Sequence, residues 1–169
     1  MKIERLYIED EVTAGFIWRL QHAAYAVEAS LTGFLNLPPL MDTITTLRLC
    51  GETFYGVRSE EDDPFSDVIA AIAYETDGER LVICRMMVHP DFFRRGIARR
   101  LITFVESMVT NEREIVVSTG SKNEPAIRLY EAMGFRFVRE WMPVLGLMVT
   151  EFTKSCGKGE VQHEQSMVD

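Results

Sequence analysis

The chain has 169 residues and a mass of 19.4 kDa, the size of one compact domain with a substantial core. Apolar residues make up 47% and charged residues 26%, which excludes both a disordered and a fibrous chain. The formal charge of -8 argues against a general binder of nucleic acid or of anionic membrane, because both attract clustered cations and repel a net anion.

Taken in order, residues 2–8 alternate charged and apolar side chains and predict a first strand. Val12 to Leu31 is apolar and rich in helix formers, with Gly33 as its stop, and Pro38-Pro39 then breaks the chain. Asp42 is placed to cap a second helix that carries Ile44, Leu47 and Cys50 on one side and ends at Gly51. Thr53–Arg58 predicts a strand, and the acidic stretch Ser59–Ser66 a solvated turn. Asp67–Glu75 and Glu79–Val88 are β-branched and apolar, joined at Asp77-Gly78, a dipeptide that tolerates the positive φ of a tight hairpin. Residues 89–96 read as a loop onto a helix striped by Ile97, Leu101, Phe104, Val105 and Met108. Ile115–Ser118 is a short buried strand, and Ser121 and Glu124 have capping-box spacing before Pro125. Gly134 ends the helix that follows, Phe135–Glu140 and Leu147–Lys154 are two last strands, and the polar tail from Ser155 is expected to be flexible. The organisation is therefore one mixed α/β (α+β) domain over residues 1–154 with a tail at 155–169.

Cys50, Cys84 and Cys156 form no CxxC pair and are odd in number, as expected of free thiols in a reducing compartment. The N-terminus lacks the continuous apolar stretch of a signal peptide, and no run approaches the roughly 18 apolar residues that cross a bilayer. A cytoplasmic protein is expected, without nucleic-acid or membrane partners. His22, His89 and His163 show no ligand spacing, so no metal is assigned.

Between residues 80 and 100 lie six arginines (80, 85, 94, 95, 99 and 100) against Asp91 alone, a local balance of +5 that leaves -13 for the remainder. A strand, a Gly-containing basic loop and a helix start in succession suit an anion, because the free N–H groups of a first helical turn favour negative charge. Neither the GxxxxGK[ST] phosphate loop nor the GxGxxG dinucleotide fingerprint is present.

Val88-His-Pro-Asp-Phe-Phe-Arg-Arg-Gly-Ile-Ala98 is followed 25 residues later by Asn123-Glu-Pro-Ala-Ile-Arg-Leu-Tyr-Glu-Ala-Met-Gly-Phe135. The first segment resembles the Q/R-x-x-G-x-G/A acyl-CoA signature of the GCN5-related N-acetyltransferase (GNAT) superfamily, and the second resembles its Asn…Leu-Tyr…Gly-Phe segment. The resemblance extends to the order of elements over about residues 2–153. It implies a mixed, mostly antiparallel central sheet flanked by helices, with strands splayed at the acyl-CoA site. It also implies acetyl transfer from acetyl-CoA to a primary amine by direct attack.

Under that resemblance, backbone N–H groups of Arg94, Arg95, Gly96, Ile97, Ala98 and Arg99 would hold the coenzyme A pyrophosphate. Met87 and Val88 would pair with the pantetheine arm, an N–H there could face the thioester carbonyl, and Asn123 would contribute to the cofactor site. Tyr130 would be the general acid beside the sulfur. Phe93 departs from the family's Gln or Arg at the first signature position. The base is open: Leu81 stands where some members carry a glutamate, and Glu75, Glu79, a water or no base at all are the alternatives. The acceptor would be a small amine, amino acid, peptide or protein lysine, with Tyr25, Glu28, Phe34, Asp42, Tyr74 and Trp141 as candidates for its pocket. A homodimer is compatible with the family, and a non-catalytic acyl-CoA-binding or regulatory module is the competing function.

Overall fold

A computed structural model describes residues 1–110 and 113–157. Strand β1 (Glu4–Leu6) leads into helix α1 (Glu11–Thr32), a 3-10 turn at Pro38–Met41, the short helix α2 (Ile44–Arg48) and strand β2 (Thr53–Arg58). The long strands β3 (Val68–Thr76) and β4 (Arg80–Val88) precede a 3-10 turn at Pro90–Phe92 and helix α3 (Ile97–Met108). Strand β5 (Glu114–Gly120), helix α4 (Glu124–Ala132) and strands β6 (Arg136–Val144) and β7 (Leu147–Ser155) complete the order. The seven strands form one sheet, β1-β2-β3-β4-β5-β7-β6. Every pairing is antiparallel except β4 with β5, which α3 joins by the crossover that parallel neighbours require.

The two-residue period of β3 divides the core. Ala71 and Ala73 face the α1 side with Leu6, Ile17, Leu20, Leu47, Phe54 and Met87. Ala70 and Ile72 face the other side with Leu101, Ile102, Val105, Ile115, Val117 and Phe152. The sheet thus lies between α1 with α2 and α3 with α4, and the alanines of β3 let helices approach on both faces. Gly33 takes φ +71° at the C-terminus of α1, as the sequence predicts.

Three local expectations change. Thr43, not Asp42, caps α2 in a reciprocal capping box with Thr46, because Asp42 is drawn to Arg85 at 2.6 Å. Asn123, not Ser121, caps α4 through Ala126 N–H, and the Ser121 hydroxyl instead hydrogen-bonds Thr150. Ser155 ends β7, and Cys156 N–H donates to the Arg113 carbonyl. The remainder of the expected tail, residues 158–169, lies outside the described residues.

Candidate active site

Strand β4 follows β5 only from Arg80 to Ile83, while β5 continues against β7 as far as Gly120. At the parting point the β3–β4 register skips Cys84, since Ala73 faces Arg85 and Tyr74 faces Ile83. A bulge bends a strand and raises its twist, and here it turns β4 away from β5. His89 N–H donates to the Ile69 carbonyl at 2.8 Å. Antiparallel alternation from that pair directs the N–H of Met87 toward β3 and leaves those of Met86 and Val88 facing the fork. The fork opens a groove of about 710 Å³.

One end of the groove is the start of α3. Arg94 and Gly96 both take left-handed backbone, φ +61° and +73°, so the chain turns sharply into α3 at this end. Among the described residues no side chain caps the helix, so the first-turn N–H groups of this 12-residue helix remain available to an anion. Arg94 and Arg99 line this end. Arg85 does not add to its positive character. The Arg85 guanidinium is bidentate to Glu52 at 2.7 and 2.9 Å and bonds Asp42 and Gln21 as well. Arg80 is tied to Asp77 at the far hairpin.

Of the ten residues predicted to bind cofactor, Val88, Arg94, Gly96, Ile97, Ala98, Arg99, Asn123 and Tyr130 line the groove. Met87 does not; its side chain is fully buried on the α1 side. Met86 is the groove-lining neighbour, and strand alternation counted from the loop would have found it. Arg95 also falls outside the lining, with its guanidinium 4.9 Å from the centre of the Phe92 ring and donating to the Asp91 carbonyl. Phe93 lines the groove at 44% exposure, so an apolar face stands where the family signature has a polar side chain.

Tyr130 is 4% exposed, its ring packed edge-on to Phe135 at 5.7 Å between centroids. Burial, and then the nearby Glu28 charge, push its phenol well above the ordinary value and keep it protonated. Burial first, then Glu28 and with less effect Tyr130, push the Tyr25 phenol up as well, against the opposing influence of Arg85 and the Met86 backbone. Cys84 also lines the groove. Burial first, then Glu52 and Glu75, push its thiol up to about 12, so little thiolate exists at neutral pH.

The other candidates separate cleanly. Glu75 and Glu79 are exposed near the hairpin tip, outside the groove lining, and Leu81 is a buried core residue. Tyr25, Glu28 and Trp141 line the groove; Phe34, Asp42 and Tyr74 do not. Phe34 packs with Leu37 and Leu147, and Tyr74 stacks on Tyr55. His22 Nδ1 lies 2.9 Å from the Trp18 carbonyl, His89 accepts from Asp91 N–H, and His163 lies outside the described residues. No described helix is long and apolar enough to cross a membrane.

The family model described as acetyltransferase (GNAT) family matches residues 14–135. The UPF0157 protein YqkA of Bacillus subtilis (strain 168) is 33% identical over 150 residues, covering 89% of this chain. The chain spans only 42% of that relative's length. An acetyltransferase from Thermus thermophilus superposes with a TM-score of 0.72 at 15% identity, over 92% of this chain and 97% of that one. The structure of yncA from Salmonella typhimurium with its cofactor acetyl-CoA gives a TM-score of 0.65 at 19% identity, over 94% and 95% of the two chains. At these identities the likeness is one of fold.

Proposed function

The chain belongs to the GNAT acetyltransferase family, and on that premise we propose that it moves an acetyl group from acetyl-CoA to a primary amine by direct attack. The observation that carries the reading is the groove itself: an uncapped helix start with Arg94 and Arg99 at one end, joined to the unpaired edge of a strand. A diphosphate fits the first feature by charge and by N–H donors. An extended amide-containing arm fits the second, adding to β4 as a further strand would, through the backbone of Met86 and Val88.

Direct attack is favoured over an acyl-enzyme by Cys84, whose partly buried thiol is pushed up to about 12 and stays protonated at neutral pH. Tyr130 supplies the proton that the departing thiolate needs, since a neutral phenol donates without carrying charge into a buried site. An N–H on the fork side of β4, at Met86 or Val88, is suited to the developing oxyanion. Holding both substrates in one groove supplies the larger part of the acceleration, roughly 7–11 kcal/mol, with proton transfer adding about 10²–10⁴-fold. The protonated Tyr130 in the groove favours this transferase over a module that only binds acyl-CoA.

The deciding experiment mixes the protein with acetyl-CoA and a panel of primary amines and follows free-thiol release, alongside a thermal shift with coenzyme A. Stabilisation by coenzyme A together with amine-dependent thiol release is the expected outcome. Stabilisation without release points to the binding module, and absence of both rejects the reading.

A further inference from the structure

The groove-facing side of α1 bridges the fork. Tyr25 and Glu28 lie three residues apart on one helix face. Tyr25 lines the groove together with Met86 of β4, whereas Glu28 Oε1 accepts Gly120 N–H of β5 at 3.1 Å and the Thr119 hydroxyl at 3.3 Å. The β5 pairing explains why that N–H is available. Ser121 N–H donates to the Met148 carbonyl in β7's direction, so by alternation Gly120 N–H points to the side that β4 has left. Both hydrogen bonds fall on Oε1, and Oε2 takes neither of them.

Glu28 is also the sole carboxylate among the described residues that line the groove, which contains no histidine. The other charged lining groups are arginines. Arg85 is neutralised by its own carboxylates, and Arg94 and Arg99 stand at the α3 end. Around Glu28 the walls are apolar, with Leu31, Leu37, Leu147 and Val149 among them.

We infer that Glu28 is the acceptor-binding carboxylate and proton acceptor of this site, and that the acceptor class is a cationic primary amine on an apolar stem. The inference rests on the proposed transferase reading. Such an amine has a pKa near ~10.4, so roughly one molecule in 10³ or fewer is neutral at pH 7. Oε2 of Glu28 takes one ammonium proton, which frees the nitrogen lone pair to form the C–N bond. Tyr130 then gives its phenolic proton to the sulfur as the C–S bond breaks and its electron pair leaves on sulfur. The second nitrogen proton restores the Tyr130 phenol, and Glu28 releases its proton to water. The Thr119 hydroxyl and Gly120 N–H of β5 bond the Glu28 carboxylate, and its charge reaches Tyr25 on α1 and Tyr130 on α4, which line the same groove.

The test compares wild type with Glu28→Gln, which keeps the Oε1 acceptor and removes the charge. Coenzyme A thermal shifts come first, then calorimetric binding of butylamine to the protein–coenzyme A complex. Steady-state transfer to butylamine, cationic at about pH 7, and to methoxyamine, neutral at that pH, completes it. Both proteins are expected to bind coenzyme A alike. The variant should bind butylamine at least about tenfold more weakly and lose about tenfold or more in kcat/KM for it, while methoxyamine transfer changes less than about threefold. A merely structural role would impair both nucleophiles equally, and that result overturns the inference. So does a wild type that binds coenzyme A yet neither binds nor acetylates butylamine, which leaves the cofactor reading standing. Failure of coenzyme A to bind overturns both.

Discussion

Glu28 Oε1 accepts the backbone N–H of Gly120 at 3.1 Å, a bond between the C-terminal part of α1 and the last residue of β5, beyond the point where β4 parts from it. Gly120 is held to glycine by space rather than by backbone conformation. A Cβ there would lie 2.5 Å from Thr32 Cγ2 and 3.3 Å from Glu28 Oε1, so α1 or its carboxylate must move. Gly120→Ala is expected to lower stability by about 1–3 kcal/mol, measured by denaturant titration. It should also raise KM for the amine more than it weakens coenzyme A, whose anchoring N–H groups on α3 are remote from the clash. Equal loss of both affinities would mean that the bond only braces the fold.

Tyr130→Phe removes one hydroxyl from a ring whose packing against Phe135 and Phe152 does not require it. Turnover is expected to fall at least about tenfold, with coenzyme A affinity changed by less than about threefold. Single-turnover kinetics and calorimetry separate the two. Unchanged turnover would take the phenol out of the reaction.

The elements that sequence periodicity located well are those whose cause is local. Gly33, Gly78 and Gly134 adopt positive φ because nothing else ends a helix or turns a hairpin there as readily, and β2 spans Thr53–Arg58 as predicted. The fork was legible only through the family resemblance, since a bulge at Cys84 depends on how β3 and β5 compete for β4. That Met86 rather than Met87 lines the groove has the same origin: which N–H faces the groove is decided by register, and register is decided by partners. Arg85 shows the limit most clearly. Its charge counts toward a basic stretch in sequence, yet Asp42 and Glu52, from distant segments, cancel it in the fold.

Cys84 tests the direct mechanism. With its thiol pushed up to about 12 by burial, an acyl-enzyme through this residue would need a thiolate that scarcely forms at neutral pH. Cys84→Ala is expected to keep kcat within about threefold, and intact-mass analysis after mixing with acetyl-CoA alone should find no acetyl group on the protein. Loss of turnover together with a trapped adduct on the wild-type cysteine would replace direct attack by a two-step transfer.

The Arg85 cluster governs behaviour in acid. Asp42 is partly desolvated, which alone would raise its pKa, but the hydrogen bond and charge of Arg85, with Gln21 and Thr46, outweigh burial and hold the carboxyl below its ordinary value. A folded-state value below the unfolded one means that stability is fully present above the unfolded value, near ~4, and is lost as pH falls through the lower folded value. Asp42→Asn leaves Arg85 still paired with Glu52 and is expected to cost about 1–2 kcal/mol at pH 7, the loss of one charge-assisted hydrogen bond rather than of a whole buried pair. The same variant should lose less stability than wild type between about pH 5 and pH 2, since the titrating group is gone. Urea unfolding across that range measures both effects. Parallel pH curves for the two proteins would show that Asp42 is not held below its unfolded value and that the cluster's acid sensitivity resides elsewhere.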